Sequence, residues 1–370
     1  MKEVRSAVSL FSGAGGMDVG FANAGFDTVF ANDIDKAACD TFNLNHSITS
    51  LCGDLRDYRD SISQFKGVDL VFGGPPCQGF SVAGKMDPDD ERSQLIWSFF
   101  DKVELLKPRA FVCENVKALA VNSRWSQVLD GLIEKSNALG YTTALLVLNA
   151  SNYGVPQARE RMFLVGIREG GSKVSSLAFK SALTASLDAK KESSIVIADL
   201  IRGLGPAGSE RNSRTCSAII TYAKNPVLRK SPYAGMLFNG AGRPINPNGV
   251  ALTLAASMGG NKTPIVDEAE IFNGKASYVT NYHQQLLTGA TPRTGTAPSR
   301  LRRITIDEAL AIQSFPYDYK MVGSQSAMYR QIGNAVPCRL AEVVARTVDE
   351  VLTMGLKKFV SVPQQPNIKI

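Results

Sequence analysis

The 370-residue sequence predicts an α/β fold, a doubly wound and mostly parallel sheet joined to a smaller irregular domain. Three observations carry this expectation. Short apolar runs alternate with amphipathic or polar stretches through the first 170 residues. Between about 181 and 300 that rhythm breaks, and Gly, Pro, Ser, Thr and Asn accumulate. From Ile304 a helical pattern returns. Strands alternating with helices read as a parallel sheet covered on both faces.

The runs predicted as strands are Ala7–Phe11, Thr28–Phe30, Val68–Phe72, Arg109–Cys113, Thr143–Leu148 and Met162–Ile167, most of them rich in Val, Leu and Phe and closed by Gly, Asn or Asp. Arg92 to Leu106 reads as a helix stopped by Lys107-Pro108, because the residue before proline is pushed out of the helical region. The close pair of strands after Tyr141, with a turn at Asn152-Tyr153-Gly154, predicts an antiparallel excursion at the sheet edge. Thr305 followed by Glu308 reads as a capping box. A last helix is expected from about Arg339 to Leu356, before a frayed tail. The domains expected are 1–180 with 322–370 as the large domain, 181–300 as the small one, and 301–321 as a hinge.

Composition narrows the function. Hydrophobic residues at 44% and charged residues at 20% exclude wholesale disorder. Two histidines, His46 and His283, cannot build a multi-histidine metal site, and no metal is expected. The six cysteines (Cys39, Cys52, Cys77, Cys113, Cys216 and Cys338) contain no C-x-x-C pair, which argues against a zinc ribbon. Their scatter points to a reducing compartment, and each taken alone reads as a small buried hydrophobe. No apolar run approaches the roughly 18 residues of a membrane helix, so no membrane partner and a cytoplasmic location are expected. The net charge of +7 is concentrated: residues 181–300 hold 13 Lys+Arg against 7 Asp+Glu, a difference of +6. A basic segment of this kind points to a polyanion.

Five segments carry chemistry. Ser9-Leu-Phe-Ser-Gly-Ala-Gly-Gly16 follows the first strand, where glycines let a backbone turn tightly and approach a ligand. Ala31-Asn-Asp-Ile-Asp35 then ends the second strand, where a carboxylate can accept both hydroxyls of a ribose; Asp33 is the first choice and Asp35 the second. With Asp54 at the end of the next strand-like run, these residues point to a nucleoside-containing cofactor. Gly73-Gly-Pro-Pro-Cys-Gln-Gly-Phe-Ser81 lies at the carboxyl end of another strand and presents Cys77 as a nucleophile on a stiff backbone. The next strand ends in Glu114-Asn115-Val116, which places a carboxyl group beside that cysteine. Gln157-Ala-Arg-Glu-Arg161 offers Arg159 and Arg161 on one face of an extended segment, able to hold a phosphate or orient Glu114. Gly79 to Lys85 nearly spells a phosphate loop, but Met86 stands where Ser or Thr must hold magnesium, which argues against a nucleotide triphosphatase.

The order of these segments resembles the DNA (cytosine-5) methyltransferase family, prokaryotic restriction–modification type. The resemblance rests on Phe11-Ser-Gly-Ala-Gly-Gly, Asn32-Asp-Ile-Asp, Gly53-Asp, Gly74-Pro-Pro-Cys-Gln-Gly-Phe-Ser, Glu114-Asn-Val, Gln157-Ala-Arg-Glu-Arg, Arg303–Pro316 and Gln331-Ile-Gly-Asn-Ala-Val-Pro337. Thr253-Leu254 looks like the family's Thr-Leu landmark in the variable middle. Two departures stand out: Asp33 where many members carry Glu, and Ser9 where some carry Asp.

The resemblance implies a Rossmann-like sheet using S-adenosylmethionine to methylate C5 of a flipped-out cytosine in a specific duplex DNA sequence, through a covalent Cys77–C6 adduct. It implies catalytic roles for Cys77, Glu114, Arg159 and Arg161. The cofactor would be held by Phe11, Gly13, Gly16, Asp33, Asp54, Pro76, Asn334 and Val336. DNA would be met by Gln78, Ser81 and Thr253, and the basic small domain would read its major groove. The expected partner is duplex DNA, the expected state a monomer, and a cognate restriction endonuclease is a candidate partner. Alternatives left open are a tRNA cytosine methyltransferase, a non-catalytic DNA-binding relative and, more distantly, a Rossmann oxidoreductase.

Overall fold

A computed structural model describes residues 4–76, 91–169 and 174–362, with only the backbone of 91–94. The chain forms two compact units. One contains the described residues of Met1–Tyr153, Glu160–Glu192 and Val336–Ile370, and the other contains Gly154–Arg159 and Ser193–Ala335.

The first unit is built on strands β1 (Arg5–Leu10), β2 (Phe26–Asp33), β3 (Ser50–Cys52), β4 (Leu70–Gly73), β5 (Ala110–Val116) and β6 (Thr142–Asn149). After the two-residue β7 (Gln157–Ala158), which belongs to the second unit, β8 (Glu160–Ile167) completes the sheet in the order β3-β2-β1-β4-β5-β8-β6. The first five are parallel, while β8 runs antiparallel to both β5 and β6. This is the antiparallel excursion expected at the edge. Its helices are α1 (Gly16–Asn23), α2 (Lys36–Asn45), α3 (Arg59–Ser63), α4 (Glu91–Leu106), α5 (Lys117–Val121), α6 (Ser126–Ala138) and α7 (Ser176–Asp188). Central strands such as β4 are buried along their whole length, as strands covered on both faces must be. The core on one face gathers Phe99, Phe100, Phe111, Trp125 and Tyr141 around the strand residues Val8, Val71 and Leu164. Lys107 adopts a positive φ of 48° before Pro108 and closes α4 where proline stops it.

The second unit carries α8 (Ile197–Leu204), β9 (Tyr222–Val227), β10 (Met236–Phe238), β11 (Ala251–Leu252), β12 (Ile265–Asp267), α9 (Glu268–Asn273), α10 (Tyr278–Leu287), β13 (Leu301–Arg303), α11 (Ile306–Ile312) and α12 (Gln325–Asn334). The chain then returns to the first unit as α13 (Cys338–Met354) and α14 (Leu356–Ser361). A buried Arg5–Asp349 pair at 2.8 Å ties α13 to β1.

Two differences from the sequence expectations have physical reasons. The middle segment is less irregular than its Gly and Pro content predicts. In α10, Val279, Tyr282, His283 and Leu286 are buried at helical spacing, around a core with Ile220, Leu237, Phe238 and Ile265. The compact units also divide elsewhere than the expected domains. Residues 301–335 are a hydrogen-bonded part of the second unit rather than a hinge and the start of the large domain. β13 pairs with β12, Tyr329 donates to the Ile304 carbonyl at 2.6 Å, and Gln313 donates to that of Ile332 at 2.6 Å. The capping box is present: Glu308 N–H donates to Thr305 Oγ1 at 2.9 Å, and Thr305 N–H donates to Glu308 Oε2 at 3.0 Å.

Candidate active site

Strand order reverses between β1 and β4, and in open α/β sheets a ligand crevice forms at the carboxyl ends of such strands. The glycine loop leaves β1 there. Phe11 takes a positive φ of 54°, Gly13 one of 54° and Gly15 one of 80°, so the chain reverses sharply before Gly16 opens α1. Among the described residues a side chain built on Gly13 would meet nothing within 4 Å, so this backbone is open there.

Asp33, at the end of β2, holds that loop. Its Oδ2 accepts from Gly13 N–H at 2.7 Å and its Oδ1 from Asp35 N–H at 2.8 Å. Burial raises its pKa above the usual carboxylate value, against the pull of these two N–H donors. Asp35 instead caps α2, accepting from Ala37 and Ala38 N–H at 3.0 and 3.3 Å. Asp54 is engaged by Arg56, through Nε at 2.9 Å and the terminal nitrogen at 2.6 Å, and these bonds lower its pKa. Arg56 is 70% exposed, so water screens that pair.

One residue the sequence reading passed over lies beneath the loop. Asp18, in the first turn of α1, is buried and accepts from Ser9 Oγ at 3.1 Å through Oδ2. Its Oδ1 has no hydrogen-bond partner among the described residues, and burial raises its pKa from 3.8 to about 7. The signal available was Ser9 itself, whose hydroxyl serves this carboxylate.

The second corner lies across β4, β5 and β8. Glu114 on β5 is 8% exposed, and its Oε1 receives Arg161 Nε at 2.9 Å. The antiparallel register sets Val116 opposite Arg161 and Glu114 opposite Phe163, so Arg161 lies two residues along β8 from the position facing Glu114. Gly74 follows β4 at the same place. A Cβ there would stand 2.8 Å from Glu114 Oε2, so a side chain at this position would displace the carboxyl group. Asn115 donates to the Pro75 carbonyl at 3.2 Å and ties the segment leading to Pro76 to β5. Cys77, Gln78 and Ser81 lie outside the described residues.

Arg159 and Arg161 do not share one extended face, as their spacing predicted. Arg159 falls between β7 and β8, in the second unit, and is 1% exposed. It donates to the carbonyls of Leu254 at 2.9 Å and Gly333 at 2.8 Å. Its own neighbours Gln157–Ala158 pair with β11. Thr253 Oγ1 donates to the Ala158 carbonyl at 2.9 Å, so that hydroxyl braces β7. Asn334 is exposed at the end of α12 in the second unit, while Val336 is buried in the first. Among the described residues no cluster of metal-ligating side chains occurs, and no helix is long and apolar enough to cross a membrane.

Comparison with known proteins gives the family and the fold. The family described as C-5 cytosine-specific DNA methylase matches residues 6–350. The type II methyltransferase M.NgoPII of Neisseria gonorrhoeae is 31% identical over 357 residues, covering 93% of this chain and 95% of that protein. M1.HphI of Haemophilus parahaemolyticus is 30% identical over 356 residues, covering 92% and 86%. Among solved structures, the Dnmt2 methyltransferase of S. pombe superposes with a TM-score of 0.65 at 18% identity, covering 94% of this chain and 98% of that one, a likeness of fold. The Rossmann-like methyltransferase sheet, the glycine loop at its switch point and the match over nearly the whole chain lead to one conclusion: this chain belongs to the C-5 cytosine-specific DNA methylase family and is an S-adenosylmethionine-dependent DNA (cytosine-5) methyltransferase.

Proposed function

We propose that the protein methylates C5 of a cytosine swung out of a specific duplex DNA sequence, with Cys77 as the covalent nucleophile. The buried Glu114–Arg161 pair beside Gly74 is the observation that carries this reading. C5 of cytosine is a poor nucleophile. Addition of the Cys77 thiolate to C6 moves electron density through C4–C5 and makes C5 reactive. Glu114 bonds N3 and stabilises the charge that develops on the ring. Arg161 fixes the Glu114 carboxyl group, while Arg159, buried on the carbonyls of Leu254 and Gly333, braces the second unit. S-adenosylmethionine supplies an electrophilic methyl group. After transfer, loss of the C5 proton expels the Cys77 thiolate and restores the aromatic ring.

The cofactor fits the first corner on the loop's own geometry. The open face at Gly13 and the turn through Gly16 admit its methionine part. Phe11 packs against adenine. Asp33 accepts the ribose hydroxyls with the lone pairs its two backbone donors leave. Asp54 takes the adenine amine, sharing its carboxylate with the exposed Arg56. Pro76 and Val336, both of the first unit, are the further cofactor contacts in this reading.

The second unit, which contains most of the +6 stretch, supplies phosphate contacts, while uncharged side chains near Thr253–Asn261 select the sequence. The protein acts as a monomer. A cognate restriction endonuclease acting on the same site is the candidate partner.

Duplex DNA carrying 5-fluorocytosine tests the chemistry, because fluorine cannot leave C5 as a cation. The expected result is a denaturation-resistant adduct in the presence of cofactor, absent in Cys77→Ala. An adduct that persists in that variant overturns the assignment. Faster methyl transfer to tRNA than to duplex DNA would move the substrate to RNA.

A further inference from the structure

Two cysteines that the sequence presents as ordinary core residues meet beside the turn that carries Asp33. Cys52 ends β3, opposite Asp33 in the parallel register, and is exposed. Cys39 lies in α2 and is buried. Their sulfurs address consecutive carbonyls of one turn: Cys39 Sγ donates to Asp33 O at 3.4 Å, and Cys52 Sγ to Ile34 O at 3.8 Å. Both thiols therefore cluster on the two carbonyls of this turn. The encounter is built by the fold. The β2–β3 register sets Cys52, the Asp35 cap starts α2 immediately after the turn, and Ser50 Oγ donates to Cys39 Sγ at 3.8 Å.

We propose that Cys39 and Cys52 form a reversible dithiol–disulfide modification site, which takes low-molecular-weight disulfides as its oxidant and weakens cofactor binding when oxidised. The effect on the cofactor rests on the reading of Asp33 as the ribose acceptor; the disulfide itself does not. Exposed Cys52 meets the oxidant first. Its thiolate attacks one sulfur of the small disulfide, forms a mixed disulfide and releases one small thiolate. Burial pushes the Cys39 thiol up to about 12, which holds it in reserve until a mixed disulfide stands beside it. Cys39 then displaces the second small thiolate, which takes the Cys39 proton. The protein loses two electrons, the small disulfide gains them, and two small thiols leave. The bond removes both S–H donors from the Asp33 and Ile34 carbonyls. It also draws the sulfurs to about 2.05 Å, shifting the turn that positions the Asp33 carboxylate.

The test uses full-length protein carrying Cys77→Ser, so that the proposed nucleophile does not compete for oxidant. After incubation with glutathione disulfide, non-reducing peptide mapping should find Cys39 linked to Cys52. Calorimetric affinity for S-adenosylmethionine should fall by at least about fivefold, the lower end of ordinary coupling between sites. Dithiothreitol should restore it, and adding Cys52→Ser should abolish both the link and the loss. A glutathione adduct on Cys52 that never resolves to Cys39, or no link at all, overturns the site. A clean link with unchanged affinity overturns its coupling to the cofactor. Reduced Asp33→Ala protein with unchanged affinity would instead sink the ribose reading while the disulfide stands.

Discussion

The two corners of the site use a carboxylate in opposite ways. At Asp33 the carboxylate is the organiser: it gathers N–H groups from Gly13 and Asp35 and so ties the glycine loop to the end of β2. At Glu114 the carboxylate is organised, held by Arg161 and given room by Gly74. The first arrangement suits binding, since the backbone it shapes is what a cofactor meets. The second suits the catalytic role proposed for Glu114, since a group that acts on a ring nitrogen has to be aimed by something other than its substrate. Asp33 and Glu114 should therefore fail differently when altered.

The largest effect is expected at the catalytic corner. Glu114→Gln should lower single-turnover methylation by about 10²–10⁴-fold, the usual contribution of a positioned acid or base. Cofactor affinity measured by calorimetry should hold. Equal losses in both would merge the two corners into one.

Asp33→Ala should reverse that pattern. It removes the proposed ribose acceptor, whose hydrogen bonds are each worth roughly 1.5–3 kcal/mol, so cofactor affinity should fall tenfold or more. Asp35→Ala is the control: losing the α2 cap should cost about 1 kcal/mol of stability in a denaturant melt. A larger affinity loss in Asp35→Ala than in Asp33→Ala would exchange their roles.

Gly74→Ala sharpens the comparison with a single methyl group. It would stand 2.8 Å from Glu114 Oε2, so the carboxyl group must shift. Misplacing a catalytic group by a fraction of an ångström should cost about tenfold in kcat, with cofactor affinity unchanged. An unaltered kcat would mean that the aim of Glu114 is not critical.

The smallest effect concerns Asp18. Its pKa is raised from 3.8 in the unfolded chain to about 7 in the fold, so the folded protein binds the proton more tightly. Its contribution to stability is complete below the unfolded value and is lost as pH rises through about 7. Asp18→Asn should remove that slope, leaving Tm below the unfolded value of 3.8 little changed and raising it near pH 8 relative to the parent. A slope that survives the substitution would assign it to another group.

Much of this molecule was legible from its residues. The alternation of apolar runs and amphipathic helices foretold a parallel sheet, because strands covered on both faces must be apolar throughout. The Lys107-Pro108 stop and the Thr305–Glu308 box were also legible, since each depends only on neighbours a few residues away. The places of the glycine loop, Asp33 and Glu114 at the carboxyl ends of strands were legible because motif and strand end coincide in the chain. The allocation of partners could not. The sequence ranks Asp35 second to Asp33 and does not show the partners of Asp35 or Asp54; the fold alone commits one to α2 and pairs the other with Arg56. Arg159 and Arg161 stand two residues apart, yet one takes the carbonyls of Leu254 and Gly333 and the other takes Glu114, because the chain passes from one compact unit to the other between them. Cys39 and Cys52 are 13 positions apart and reach the same turn only through the β2–β3 register. Periodicity and capping are local and survive in the sequence; the choice of a distant partner depends on strand register and desolvation, which exist only once the chain has folded.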